Sequence, residues 1–428
     1  MWSLLRKIIN FPAFLLFAVW SNINTSLIEV FHRSTFSIIG KINFLRGVVP
    51  YVIWLPCLFL IKKNTFDIKL GLNPYKWLCI YGFISLGASA FSPDFQFSLY
   101  FGLAFIANLL VPAVLLRDCA YYHRERQLMF LTKLMVFVFV FGILYFIGDQ
   151  FSYGYGIFGR TTGSGEVVSA IGTSRSSGIA RFFSVAAIIA FIQICMEGKW
   201  IYRFLWIAPF MYSSYVVYEM QSRGALFGYL LSLILVFVFC KGKWKAVFYL
   251  IAIVVVFNIF TSDFFVKEYI LKYIYRGQSE ETFVTMTGRT YFYSLGYKEI
   301  LKHPIIGQGQ WADRISGVGH IHNAFIQAFM NAGILGGIPY ILSWITAWLL
   351  FLKLFSVNKF LAKIDRHILL ECGALMMFFT VRSIPETTTA SFSIDSMVMV
   401  PVFLYMIVLY KRLEWYFNSD AETYEVEP

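Results

Sequence analysis

Apolar residues along this chain come in long blocks, and short charged or polar stretches separate them. Blocks such as Phe248 to Phe260 and Met399 to Tyr410, with their flanks, are long enough to cross roughly 30 Å of hydrocarbon. The pattern predicts helices centred on residues 12–30, 47–61, 76–92, 97–116, 129–148, 179–196, 203–219, 224–240, 246–262, 324–352, 367–384 and 395–410. Asn22, Asn24 and Glu29 interrupt the first, and Lys41 and Arg46 crowd the approach to the second. The expected fold class is an all-α polytopic membrane protein of about 12 transmembrane helices.

Loop charge orients these segments. Alternate connections carry Lys62, Lys63, Lys69 and Lys76, then Arg117, Arg124 and Arg126, then Lys199 and Arg203, then Lys241, Lys243 and Lys245, then Lys353, Lys359, Lys363 and Arg366, and last Lys411 and Arg412. Cation-rich short loops stay cytoplasmic, so an even number of spans with both termini inside satisfies every connection. Arg6 and Lys7 before the first apolar stretch, with no small-residue cleavage site after it, predict an uncleaved first helix.

Two outward loops exceed ordinary connection lengths: residues 149–178, rich in Gly, Ser and Thr, and residues 263–322, a large periplasmic loop between helices 9 and 10. The chain thus divides into helices 1–5 over 1–148, the first long loop and helices 6–9 over 149–262, the large loop over 263–322, helices 10–12 over 323–412, and an acidic cytoplasmic tail over 413–428.

Composition agrees. The 428 residues are 58% hydrophobic and 14% charged, against about 25% charged in soluble domains. The net charge of +12 sits in topology-setting loops rather than on one amphipathic face, which argues against nucleic acid as a partner. Of the six cysteines, five fall near inner helix ends and Cys79 lies inside a span, so no disulfide framework is expected.

Lysine dominates the inner loops, but the outward positions carry arginine: Arg160, Arg175, Arg181, Arg223, Arg289, Arg314 and Arg382. A guanidinium is a planar fork of donors that grips phosphate in a bidentate manner and keeps its charge. Placed outward against the positive-inside preference, the set predicts an anionic substrate at the interface. The plainer alternative is that single arginines snorkel to headgroups or pair with Glu219, Glu299 or Glu386.

Two of the six histidines close the large loop, in Gly319-His320-Ile321-His322-Asn323. The helix that follows carries Asn323, Gln327 and Asn331 at four-residue spacing, a polar stripe expected to face the site. Ala328, Ala332 and Gly336 form a small-residue ridge that invites close approach of another helix. A neutral imidazole here can take a proton from a sugar hydroxyl; the plainer alternative is a capping histidine. The two histidines suit a metal only with a further ligand, and no neighbouring Asp-x-Asp or third donor accompanies them, so neither metal nor other cofactor is expected.

Gly288-Arg289, then His303-Pro304-Ile305-Ile306-Gly307-Gln308-Gly309, then His322-Asn323 with nine residues before Gly333-Ile334-Leu335-Gly336, resembles the O-antigen ligase and Wzy polymerase superfamily. Arg175-Ser176-Ser177-Gly178 with Arg181, Ser222-Arg223-Gly224, and the Arg382 to Glu386 turn resemble further landmarks of it. The resemblance spans about residues 170 to 390. It implies a metal-independent membrane glycosyltransferase whose donor is a glycan on undecaprenyl pyrophosphate and whose acceptor is another glycan. It further implies that His322 activates the acceptor hydroxyl, while Arg181, Arg223 and Arg289 hold the pyrophosphate, with Arg175 able to exchange roles with Arg181. Asn323, Gln327, Arg382 and Glu386 complete the expected substrate-binding set. His320 lies outside the matched motif and is expected to matter much less than His322.

Within that family, polymerisation of repeat units into O-antigen or capsular polysaccharide is favoured over ligation to lipid A core, polymerases being the more numerous group. Membrane lipids, a flippase and a chain-length regulator are the implied partners. A flippase of the same lipids would also need outward arginines, but no repeat relates the two halves and the polar residues gather at the outer boundary, not the midplane. Reporter fusions at Lys243 and Ser279 should report opposite compartments, and the same compartment for both would overturn the twelve-helix topology.

Overall fold

The computed structural model describes residues 70–116, 124–148, 166–169, 172–196, 200–220, 222–239 and 289–424, with part of 48–58. The expected helices over 12–30 and 246–262 lie outside the described residues. The principal helices are α1 (Pro74–Ala88), α2 (Phe95–Leu115), α3 (Arg124–Gly148), α4 (Ser176–Met196), α5 (Trp200–Glu219), α6 (Arg223–Phe239), α7 (Arg289–Lys302), α8 (Ala312–Ile315), α9 (Ala324–Ser356), α10 (Lys363–Arg382) and α11 (Ile394–Tyr424). Phe95–Leu115, Ser177–Met196, Ala324–Ser356 and Ile394–Glu414 are long and apolar enough to cross a membrane, and Arg223–Phe239 is a shorter apolar helix. The chain is an integral membrane protein of helical architecture.

Local chemistry sets several helix ends. Asn73 caps α1 by accepting from the Lys76 N–H at 3.0 Å, with Pro74 in the first turn, and Asp94 caps α2 by accepting from Phe97 N–H at 3.1 Å. Two departures from expectation stand out. The loop expected over 149–178 contains an antiparallel hairpin, β1 (Glu166–Ser169) with β2 (Gly172–Arg175), whose register sets Glu166 opposite Arg175. Helix α11 runs on to Tyr424, so much of the expected solvated tail is helical.

Helix α9 is the hub, packing on α1, α7, α8, α10 and α11, while α4 packs on α3, α5, α6 and α10. The small-residue ridge meets α1: Tyr81 and Ile84 come within 3.4 Å of where a Cβ on Gly336 would lie. At the far end of α10 from the site described below, Arg126 of α3 makes a two-pronged contact with Asp365, at 2.9 and 2.7 Å, and Tyr405 donates to the same carboxylate at 2.9 Å. Arg412 of α11 bridges Glu125 and Asp365. One layer inward, Lys133 and Gln193 both reach Glu371, at 2.9 and 2.7 Å. These buried ions bind α3, α4, α10 and α11 together, and each charge has its partner, as a low-dielectric interior demands.

The α9 helix is broken. Gly333 has φ 58 and ψ −159, and an unbroken helix would there join Ile334 N–H to the Met330 carbonyl and Leu335 N–H to that of Asn331. Instead the His303–Gly309 loop supplies four bonds. Gln308 N–H donates to Met330 O (3.0 Å) and Gly309 N–H to Asn331 O (2.8 Å), while Ile334 N–H donates to Pro304 O (2.8 Å) and Leu335 N–H to Ile305 O (3.2 Å). The approach is so close that a Cβ on Gly333 would lie 2.3 Å from the Ile305 carbonyl, and one on Gly307 (φ 78) 2.6 Å from the Gly333 nitrogen.

Gly333→Ala should therefore destabilise the fold: the backbone conformation alone costs an L-residue on the order of 1–3 kcal/mol, before the overlap is relieved. Gly87→Ala, in α1 with nothing within 4 Å of the added carbon, is the control. Melting of both purified variants in detergent checks this; equal stability would show that the joint tolerates a side chain.

Candidate functional site

The break in α9 fixes where its first turns point, and the site is assembled around that end. Asn323 caps the helix, its Oδ1 accepting from Ile326 N–H (2.9 Å), while its Nδ2 donates to the Ile384 carbonyl (3.0 Å). Ala324 N–H donates to Ser383 O (2.9 Å), so the turn after α10 is pinned to the start of α9. That turn also rests on α6, where Gly224 lets Pro385 approach to within 3.0 Å of a would-be Cβ. Tyr293 of α7 donates to the carbonyls of His322 (3.2 Å) and Ile384 (3.3 Å). His322 itself has φ 50, a left-handed conformation that histidine tolerates better than most residues and that strained functional positions often show.

Glu386 lies at the centre. His322 Nδ1 is 3.4 Å from its Oε2, His320 Nε2 is 3.6 Å from the same oxygen, and Arg289 Nη2 is 3.5 Å from Oε1. His320 Nδ1 faces Asp313 at 3.5 Å, and the two imidazole rings stand 3.8 Å apart. Burial raises the cost of charge on Glu386, but both histidines and Arg382 outweigh it and hold the carboxyl well below the usual range. Burial pushes His322 below its ordinary value, with His320 and Arg289 adding to the effect against the pull of Glu386. His320 is shifted the other way: burial opposes charge, but Asp313 and Glu386 prevail. With an ionised carboxylate at Nδ1, a neutral His322 carries its proton there, and Nε2 is left as the basic nitrogen.

The structure bears on two expectations. His320, expected to matter less than His322, has a side chain that is 18% exposed and lies between two carboxylates. A third donor also joins the two histidines, since Glu386 brings three potential ligand atoms within 4.8 Å of one another. The donor types would suit a divalent ion. The Arg289 guanidinium lies 3.5 Å from the same carboxylate.

The arginines separate into two groups. Arg289 and Arg223, the first residues of α7 and α6, lie close enough to one another for their charges to interact. Arg181 instead pairs with buried Asp395 (3.2 Å), and Arg382, 2% exposed, reaches the same carboxylate at 4.0 Å and the Ser177 carbonyl at 3.5 Å. Arg175 ends β2, one residue before α4 begins, so it and Arg181 do not share a helix. The stripe of Gln327 and Asn331 is internal: Gln327 donates to Asn331 (2.7 Å), which donates on to Tyr81 and Ala390 and accepts from Ala312 N–H. Reading the sequence missed Asp313 and Asp395, single carboxylates whose partners lie far off along the chain or in a loop of no regular period.

The fold and site define a helical membrane protein with an imidazole, a carboxylate and guanidinium groups converging where several helices begin. Residues 208–341, from α5 to beyond the break in α9, match the family model described as O-antigen ligase, so this part of the chain is similar to that family. The family implies a glycosyltransferase-like enzyme with lipid-linked glycan substrates. No curated protein matches the chain. Arg223, Arg289 and both histidines fall inside the match, whereas Arg181, Arg382, Glu386 and Asp395 fall outside it.

Only neutral imidazole reacts with diethyl pyrocarbonate, so the opposed shifts predict an order of reactivity. Normalised to its high-pH limit, His322 should titrate below pH 6.5 and His320 above it, as read by mass spectrometry of the modified peptides. The reverse order would overturn the charge assignment.

Proposed function

We propose that this site polymerises glycan repeat units carried on undecaprenyl pyrophosphate, at the outer face of the bacterial inner membrane. The observation that carries the reading is the convergence of His322, Glu386 and Arg289 at the start of a membrane helix. In the step envisaged, His322 Nε2 takes the proton of an acceptor hydroxyl as its oxygen attacks the anomeric carbon. The bond to the pyrophosphate oxygen breaks, and its electron pair leaves with the phosphate. Glu386 keeps the imidazole in the required tautomer and offsets the charge it gains.

Charge balance supports an anionic donor. Arg181, Arg289 and Arg382 face the two carboxylates Asp395 and Glu386, and Arg223 lies within electrostatic range of Arg289, a grouping of guanidinium charge suited to a pyrophosphate. Arg289, whose side chain is 27% exposed, is better placed to grip it than Arg382, whose side chain is 3% exposed. On this reading Arg181 and Arg382 shape the wall. The enzyme needs no metal, and a flippase and a chain-length regulator act before and beside it.

Ligation of the finished chain to lipid A core is the second reading, favoured by the description of the matched family model. A strain lacking the gene separates the two: single repeats on the core indicate a lost polymerase, and an unmodified core with long chains still on the carrier indicates a lost ligase.

His322→Ala should lower the rate by on the order of 10² to 10⁴ with normal protein levels in the membrane and donor binding retained. Arg289→Lys should impair transfer nearly as much as Arg289→Ala, because a point charge cannot reproduce the fork, and a chelator should change nothing. Near-normal synthesis by the His322 and Arg289 variants would remove the site from the reaction.

A further inference from the structure

We propose that residues 301–306, which end α7 and lead into the break in α9, rest in the bilayer surface on the side of the site. Leu301, Ile305 and Ile306 are immersed there, at the boundary between acyl chains and headgroups. The large loop thereby has a foot in the membrane, whatever reaction the site performs.

Helix α9 changes its surroundings at the break. From Ala324 to Gly333 no residue is exposed, and α7 and α8 pack on the helix. From Ile334 onward a stripe of large apolar side chains faces outward: Ile334, Leu335, Ile338, Ile345, Leu349 and Leu352. On a helix long and apolar enough to cross a membrane, such a stripe is lipid-facing surface. Its length fits that role. The stretch from Ile334 to Leu352 rises about 28 Å, close to the roughly 30 Å of a hydrocarbon core, and Lys353 follows at once. The break therefore falls at the edge of the hydrocarbon.

The segment that fills the break lies at the same level. The carbonyls of Pro304 and Ile305 accept from Ile334 and Leu335 N–H, the first two residues of the lipid-facing stripe, so the apolar side chains of the segment continue that surface. Every residue from Leu301 to Ile306 is exposed, whereas Gly307 to Gln310 turn inward and are buried. Leu301 is 59% and Ile305 62% exposed, and Tyr297, one turn before Leu301, is exposed beside them. Water gives no reason to display such a patch, but a bilayer does. The backbone is prepared for it: His303 N–H donates to Ile300 O (3.2 Å), Gly307 N–H to His303 O (3.2 Å), and Pro304 has no N–H to satisfy. Lys298 and Lys302 are exposed at its margin, with the sign of charge that attracts anionic headgroups, and Lys302 Nζ lies 2.7 Å from Glu299. Helix α7 descends to this foot from the site, since Tyr293 near its start donates to the His322 carbonyl and its end leads into the break. Tyr291, equally exposed, is thus about 15 Å further from the lipid along α7.

The test uses the full chain in nanodiscs of phosphatidylethanolamine and phosphatidylglycerol with tritiated acyl chains. Photoreactive benzoylphenylalanine replaces Ile305, Leu349 or Tyr291, one position at a time. Illumination should attach labelled lipid at position 305 to an extent comparable with position 349, in the middle of the lipid-facing stripe, and leave position 291 at background. Where the bulky residue at 305 prevents monodisperse elution, the same residue at Leu301 takes its place. Lipid captured at 349 but not at 305 or 301 would overturn the proposal, because the segment would then stand in water. Capture of a second protein chain at 305 in place of lipid would overturn it as well, making the patch a protein interface. Equal lipid capture at all three positions would also count against it, since the boundary would then lie beyond the break. No step of this readout requires turnover, so it separates from any failure of the transferase reading.

Discussion

A helix cannot simply stop inside or beside a membrane, because each backbone N–H and C=O it releases must find another partner. The structure meets this constraint at Gly333 by lending the open rungs of α9 to a loop. The loop gains a rigid template, and the helix gains a change of direction without orphaned groups. Both sides of the joint need glycine, Gly307 and Gly333, because each backbone passes where the other's Cβ would be. The two glycine-containing motifs of the sequence, one in the loop and one in the helix, are thus the two halves of a single joint.

The site inherits its precision from that joint. With the loop locked to α9, α7 and α8 are carried to the helix start, and the backbone around Asn323 is free to hold the turn that bears Glu386. Side chains from the large loop, from the start of α9 and from the turn after α10 then meet within a few ångströms, although His322 and Glu386 are 64 residues apart. The ion network at the other end of α10 complements this. Asp365 and Arg382 are separated by about 25 Å of helix, so α10 is anchored at one end by Arg126, Tyr405 and Arg412 and arrives at the site as a stiff strut.

Much of the helix pattern was legible in the sequence, because an apolar block of membrane length admits few other conformations: α1 to α6 and α9 to α10 begin and end within a few residues of the apolar segments. The hairpin over 166–175 was not legible, since a Gly- and Ser-rich stretch has no period to read. Of the site, His322 and the arginines stood out through rarity and placement. Their carboxylate partners did not, for Arg181 finds Asp395 only across 214 residues and no local spacing encodes that meeting. Gln327 and Asn331 show the opposite error. Their four-residue spacing marks a shared face correctly, but that face turns inward, where amides join α9 to α1 and α8.

The division among the arginines follows from the same physics. A guanidinium buried as deeply as that of Arg382 needs an anion of the protein's own, and Asp395, fully buried at the start of α11, supplies it for both Arg382 and Arg181. Such a group is committed before any substrate arrives. Arg289 is differently situated, more exposed and 3.5 Å from a carboxylate that two histidines also claim. Because Glu386 is shared, no single cation is fully neutralised by it, and the field it leaves is positive toward an incoming anion. On the function proposed above, the sharing of one carboxylate does two things together: it sets the tautomer of the base, and it keeps the neighbouring guanidinium available to a phosphate.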